Sequence, residues 1–177
     1  MKRPMFEHNS AVYQYNVADW EIKKSKIKEL IKQGRFKRLE NFYSDRGQNY
    51  YLDEFLEIFQ DELNQFKDEL GVTEINVTSV WCVKYDKGDW HVPHTHSASG
   101  FSGVLYLDYN DDEHTGTYYL NPITNPITDE TDIGCPYVYE GNITIVPSNT
   151  MHFTYPNQSD KVRSIIGFDM KFNRRNK

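Results

Sequence analysis

Three histidines within six residues, His91, His94 and His96, and a fourth at His152 are the side chains of this 177-residue chain best suited to chemistry. On an extended segment residues two apart point to the same side, so His94 and His96 can converge on one ion. A third imidazole from a distant strand would complete one face of an octahedron and leave the remaining positions open. A lone His-x-His is more often a hydrogen-bonded pair than a metal site, so the neighbouring residues must decide. His91, three before His94, falls on the opposite side of a regular strand and is expected to line an entrance or to be exposed. His8 and His114 have no partners in sequence and are read as structural.

The neighbours are specific. Upstream of the cluster lies Tyr85-Asp86-Lys87-Gly88-Asp89-Trp90 and downstream Ser102-Gly103-Val104-Leu105-Tyr106-Leu107. Pro147-Ser148-Asn149-Thr150-Met151-His152 follows, and Arg163 stands eleven positions past that histidine. From about Val80 to Phe172 the chain resembles the iron(II)/2-oxoglutarate dioxygenases, in particular the prolyl-hydroxylase-like group with small phage and bacterial members. In that group a Tyr stands nine residues before the first metal histidine and a Gly six before it, which Tyr85 and Gly88 match if His94 is that ligand. The resemblance implies His152 as the second histidine and Arg163 as the cation that pairs with the far carboxylate of 2-oxoglutarate. A planar, permanently charged guanidinium suits that carboxylate better than an ammonium would. Tyr85 and Tyr106 are candidates for phenolic hydrogen bonds to the same co-substrate.

One position departs from the pattern. The usual third ligand is an acid two residues after the first histidine, and here that residue is His96. Either three histidines hold the iron, the preferred reading, or His96 turns away and leaves the place to water, chloride or an acid elsewhere. Asp108 is the nearest downstream carboxylate on a strand, although its spacing does not favour it. The implied activity is an oxygenase that uses Fe(II), 2-oxoglutarate and O2, with hydroxylation of an amino-acid or peptidyl substrate, prolyl included. Two rivals stand beside it: a three-histidine cupin-type dioxygenase without 2-oxoglutarate, and a non-enzymatic β-barrel binding module.

These side chains need elements to position them. Asp19 is a plausible N-cap for a Lys-rich helix that stops at Gly34, and Phe42 to Tyr51 reads as a loop. Leu52, Phe55, Leu56, Phe59, Leu63, Phe66 and Leu70 recur at spacings of three and four, one apolar face of a helix closed by Gly71. Val72 to Tyr85, Phe101 to Tyr109, Gly116 to Leu120, Asn142 to Pro147 and Val162 to Phe172 are short β-branched or aromatic runs and read as strands. Asn121 to Tyr137, rich in Pro and Gly, reads as a long loop near a site mouth. The expectation is one α+β domain over 1–177. Residues 1–71 would be mainly helical support, and 72–177 a double-stranded β-helix (jelly-roll or cupin-like) barrel carrying the metal site.

Composition sets the outer bounds. Aromatics at 15%, with 13 Tyr and 10 Phe, can fill a core that 38% hydrophobic content alone would leave thin. Trp20, Trp81 and Trp90 are assigned to packing, with Trp90 able to border a pocket. The formal charge of −6 disfavours nucleic acid, although Lys23, Lys24, Lys26, Lys28, Lys32, Arg35, Lys37 and Arg38 form a local basic segment, read as a solvated face. With no long apolar run and no apolar signal core after Met1, neither membrane insertion nor secretion is indicated, and a cytoplasmic location is expected. Cys82 and Cys135 are read as reduced and structural. The expected partner is a small-molecule or peptide substrate.

Overall fold

Two long strands, β4 (Ile75–Tyr85) and β11 (Arg163–Phe172), pair antiparallel along their whole length, from Ile75 opposite Phe172 to Tyr85 opposite Arg163. Their central runs, Val80–Val83 and Ile165–Phe168, are apolar and buried because both faces are covered there. Val80 and Cys82 of β4 and Ile166, Phe168 and Met170 of β11 point to one core, whereas Trp81, Val83, Tyr85 and Ile165 point to another. The computed structural model describes residues 12–172, so His8 lies outside the described residues.

The other strands are β1 (Tyr13–Asn16), β2 (Lys37–Arg38), β3 (Tyr43–Ser44), β5 (His91–His94), β6 (Phe101–Asp108), β7 (Tyr118–Leu120), β8 (Ile133–Gly134), β9 (Asn142–Pro147) and β10 (His152–Thr154). They form a seven-stranded sheet, β1-β9-β6-β11-β4-β3-β2, and a four-stranded sheet, β5-β10-β7-β8. The two sheets are separate, so the expected barrel is an open pair and not a closed cylinder. Cross-sheet hydrogen bonds from Tyr119 to Thr144 and from His96 to Asp169 fix one sheet over the other.

Helices α1 (Trp20–Ile31), α2 (Leu52–Ile58) and α3 (Gln60–Leu70) cover the outer face of the larger sheet. The apolar face read from spacing is real: Phe55, Phe59, Leu63 and Phe66 are buried, each aromatic ring worth about 1.5–3 kcal/mol of burial. The helix is broken at Phe59, whose ψ of 20° separates α2 from α3, although Phe59 and Leu63 still donate to the carbonyls four residues back. Gly71 ends it in the left-handed conformation, φ 64°, as a C-terminal glycine does. Asp19 precedes α1 but caps nothing with its side chain; it holds a left-handed turn, φ 51°, that short polar residues tolerate.

Three local expectations change. Phe42 to Tyr51 is not all loop, since Tyr43–Ser44 pairs with β4 as β3, and with β1 and β2 it brings strands into the N-terminal part. Residues 121–137 contain β8, and none of them lines the cleft between the sheets. The basic segment is a solvated face that is partly neutralised: Lys23 pairs with Glu62, Lys24 with Glu140, Lys28 with Asp108 and Arg38 with Asp89. Cys82 and Cys135 are free thiols. Among the described residues no helix is long and apolar enough to cross a membrane.

Candidate metal centre

Register brings the histidines together. In the antiparallel pair of β5 and β10, His94 lies directly opposite His152, and side chains opposite one another share a face. Two residues on, the backbone N–H of His96 donates to the Ser148 carbonyl at 2.9 Å, which keeps His96 on that same side. The ring centroids are 4.3 Å apart for His94 and His152, 5.0 Å for His96 and His152, and 5.3 Å for His94 and His96. One nitrogen from each of the three lies within 4.8 Å of the other two.

Hydrogen bonds choose which nitrogen. Nδ1 of His94 donates to the Val92 carbonyl at 2.8 Å, Nδ1 of His152 to the Thr150 carbonyl at 3.0 Å, and Nδ1 of His96 to Asp169 Oδ1 at 2.6 Å. Each partner can only accept, so Nδ1 carries a proton in all three rings and Nε2 is the nitrogen left to bind a cation. Burial, then the neighbouring His94, pushes the His152 imidazole down to about 3, and burial lowers His94 as well. His152 and His94 are thus neutral at physiological pH, the state a divalent cation needs. Three convergent imidazole nitrogens fit a first-row metal of the borderline, imidazole-preferring kind.

Asp169 was not foreseen. It lies on β11 opposite Ser102 of β6, accepts from both His96 and Ser102 Oγ at 2.7 Å, and so ties the histidine set to the larger sheet. Burial works to raise its carboxyl, but the hydrogen bonds from His96 and Ser102 outweigh that and hold it below the usual carboxylate value. The sequence signal was its parity: Arg163, Ile165, Gly167 and Asp169 alternate along one face of β11, and a charge on a buried face calls for a partner. Asp108, by contrast, is engaged with Lys28 and Ser164 on the far side. If Asp169 orients His96, Asp169→Ala should weaken cobalt(II) binding, followed by its visible absorption, by about 10–100-fold. Asp169→Asn, which keeps an acceptor, should recover part of the loss; an unchanged affinity in the alanine variant would remove Asp169 from the site.

His91 is where alternation fails. Between β5 and β10 the register slips, Thr154 facing His91 two residues after His152 faces His94, so β5 holds one extra residue. That bulge turns His91 to the same side as His94, and their rings stack at 4.1 Å. Tyr85 Oη and His91 Nδ1 are 3.3 Å apart, and His91 also packs on Phe42 at 4.2 Å. It therefore lines the entrance, as one branch of the expectation had it, but not from the opposite side. His114 is a satisfied core histidine, accepting from the Asn110 N–H and donating to the Lys161 carbonyl.

A narrow cleft opens over the histidines, walled by Trp81, Val83, Tyr85, Val104, Val146 and Ile165, with Thr117, Tyr119 and Thr154 supplying hydroxyls. Gly167 makes room for this wall, because a Cβ there would stand 2.6 Å from the Trp81 ring. Arg163 sits behind the Tyr85 side of the cleft without lining it. It is 1% exposed, its Cζ lies 4.1 Å from the Tyr85 ring centroid, and its Nη1 donates to the Thr115 carbonyl. Nε and Nη2 of Arg163 are buried with no hydrogen-bond partner. Tyr106 is also buried, its hydroxyl accepting from the Thr117 N–H at 3.1 Å. A buried guanidinium with two idle donors is a costly arrangement unless an anion belongs there.

The chain matches a protein-family model described as "Putative 2OG-Fe(II) oxygenase" over residues 79–169. Its structure is similar to an oxidoreductase of the 2OG-Fe(II) oxygenase family from Burkholderia pseudomallei, at 13% identity and TM-score 0.67, covering 89% of this chain and 84% of that one. It is similar to HygX from Streptomyces hygroscopicus with nickel, 2-oxoglutarate and hygromycin B bound, at 9% identity and TM-score 0.69, covering 93% and 84%. The viral collagen prolyl hydroxylase of Paramecium Bursaria Chlorella virus-1, in its 2OG complex, aligns at 13% identity and TM-score 0.60, covering 92% and 96%. No sequence among the curated proteins matches. The fold is thus an α+β double-stranded β-helix, with its two sheets open at the edges.

Proposed function

Because the chain belongs to the 2OG-Fe(II) oxygenase family, we propose that His94, His96 and His152 hold its iron, that Arg163 and Tyr85 hold the far end of 2-oxoglutarate, and that the reaction is hydroxylation of an amino-acid or peptidyl substrate. Iron with 2-oxoglutarate supplies oxidation of a C–H bond coupled to decarboxylation of the co-substrate. The observation that carries the assignment is the pairing of three Nε2 atoms, selected by Nδ1 hydrogen bonds, with two unused donors on a buried arginine.

The chain's own groups divide the work. Val92 and Thr150 carbonyls and the Asp169 carboxylate fix the three rings, so that binding a cation needs no tautomer change. Tyr85, opposite Arg163 in register, lines the cleft and holds the guanidinium behind it against its ring. Tyr106 acts at one remove, its hydroxyl fixing the backbone of Thr117 on the cleft wall. Trp81, Val83, Val104, Val146 and Ile165 exclude water, which strengthens charge pairing inside. An amino-acid or peptidyl substrate is supported by likeness to prolyl hydroxylases and by the open, mainly apolar mouth.

Family membership sets aside the non-enzymatic module. The idle donors of Arg163 speak against the three-histidine enzyme that does without 2-oxoglutarate. Anaerobic titration with iron(II) and 2-oxoglutarate should produce a weak metal-to-ligand charge-transfer band, and admitting air should release succinate. Neither band nor succinate at saturating iron would reject the proposal.

A further inference from the structure

The cleft has one charged wall residue that the assignments above leave without work. Among its lining residues no Asp, Glu or Lys occurs, and Arg46 is the only formal charge. Arg46 is exposed, and no ion pair engages its guanidinium among the described residues. Its Cζ lies 4.6 Å from the Trp81 ring centroid, and that ring is 5.5 Å from the His96 ring. One aromatic ring thus separates a free cation from the metal-binding set.

The position is built. Asp45, 1% exposed, accepts from the Cys82 N–H at 2.7 Å and from Tyr50 Oη at 2.9 Å. Asn49 Oδ1 accepts from the Val80 N–H at 3.1 Å. These two side chains continue the edge of β4 where β3 stops, clamping the turn on both sides of Arg46. Ser44 Oγ accepts the Arg46 N–H at 3.1 Å and fixes the residue itself. A pinned backbone, an aromatic platform and an unpaired guanidinium fork together make a receptor for a planar anion. Arg163, assigned to the co-substrate, lies behind Tyr85 and does not line the cleft, so Arg46 is the one cation on its wall.

We infer that the substrate carries a carboxylate, which Arg46 receives at the mouth of the cleft while the body of the substrate lies along Trp81 toward the histidines. This rests on the oxygenase reading of the site. In a protein of net charge −6 the lone positive wall also draws a small anion inward against the overall field.

The test uses anaerobic holoprotein loaded with iron(II) and 2-oxoglutarate, titrated calorimetrically with N-acetyl amino acids as free acids and as the matching C-terminal amides. At least one acid should bind about ten- to a hundredfold tighter than its amide, the range of a charged hydrogen-bonded contact. Arg46→Met, which keeps an unbranched chain over Trp81, should bring that ratio near one with iron and 2-oxoglutarate affinities unchanged. Acid and amide binding alike in the native protein, no acid binding at all, or a ratio that survives in Arg46→Met would each overturn the inference. So would an equal loss of 2-oxoglutarate affinity in that variant, which would assign Arg46 to the co-substrate. Failure of the native protein to form the iron–2-oxoglutarate complex is a separate result, sinking the underlying reading and this inference with it.

Discussion

A His152→Ala protein is expected to fold, to bind no iron at micromolar concentrations of the metal, and to form no succinate from 2-oxoglutarate. His152 is the deepest of the three rings, 6% exposed, and the one that stands opposite His94 in the strand register. Removing it leaves two imidazoles on one segment of backbone, with no donor from the second strand to close the face of the coordination sphere. The fold should survive, because β10 is held to β5 and β7 by backbone pairing and the main core lies on the other side of the larger sheet. Burying a neutral ring has its own pH signature. With the folded value near 3 and the unfolded value near 6.5, the metal-free protein holds its full stability above about pH 6.5 and loses it as acid charges the ring in the unfolded chain. His152→Ala should flatten that acid limb while metal binding disappears. Circular dichroism and atomic absorption on one sample separate the two effects. Stoichiometric iron in the folded variant would show that the metal is held elsewhere.

How much of this was legible before the structure depends on which interactions each residue uses. The α2–α3 face was readable because seven apolar residues repeat at helical spacing, a local signal that burial merely confirms. The long strands β4, β6, β9 and β11 were readable from composition, whereas β1, β3, β5 and β10 are four residues or fewer and are set by pairing partners more than by their own sequence. The convergence of His94 with His96 followed from alternation, yet alternation gave the wrong side for His91, since one extra residue in β5 reverses the pattern and nothing local marks it. Asp169 and Arg46 were missed for a related reason. Each acquires its role only through residues far away in sequence: His96, 73 positions from Asp169, and Trp81, which Arg46 reaches from a turn that looked like plain loop. Family resemblance supplied Arg163, and only the structure showed that two of its nitrogens are left unbonded.

Arg163→Ala should leave iron binding intact and weaken 2-oxoglutarate by about 2–5 kcal/mol, on the order of 30- to 4,000-fold in apparent affinity. The reasoning starts from desolvation. The guanidinium is already out of water, wedged between the Tyr85 ring and the Thr115 carbonyl, so an arriving carboxylate loses little further hydration of its partner and gains two charge-assisted donors in a fixed plane. Arg163→Lys should recover only a small part, because an ammonium cannot lie flat on the Tyr85 ring while presenting a two-pronged edge. None of the three histidines has a hydrogen bond to Arg163, so the metal constant should move by less than about threefold; ligand and co-substrate affinities are therefore separable within one variant. Measured side by side, an unchanged iron constant and a collapsed 2-oxoglutarate constant would distinguish this enzyme from a three-histidine dioxygenase that needs no co-substrate. If instead Arg163→Ala turned over at the native rate with the native requirement for 2-oxoglutarate, the buried cation would have a structural task only, and the carboxylate would have to be held by Thr117, Tyr119 or Thr154 on the cleft wall.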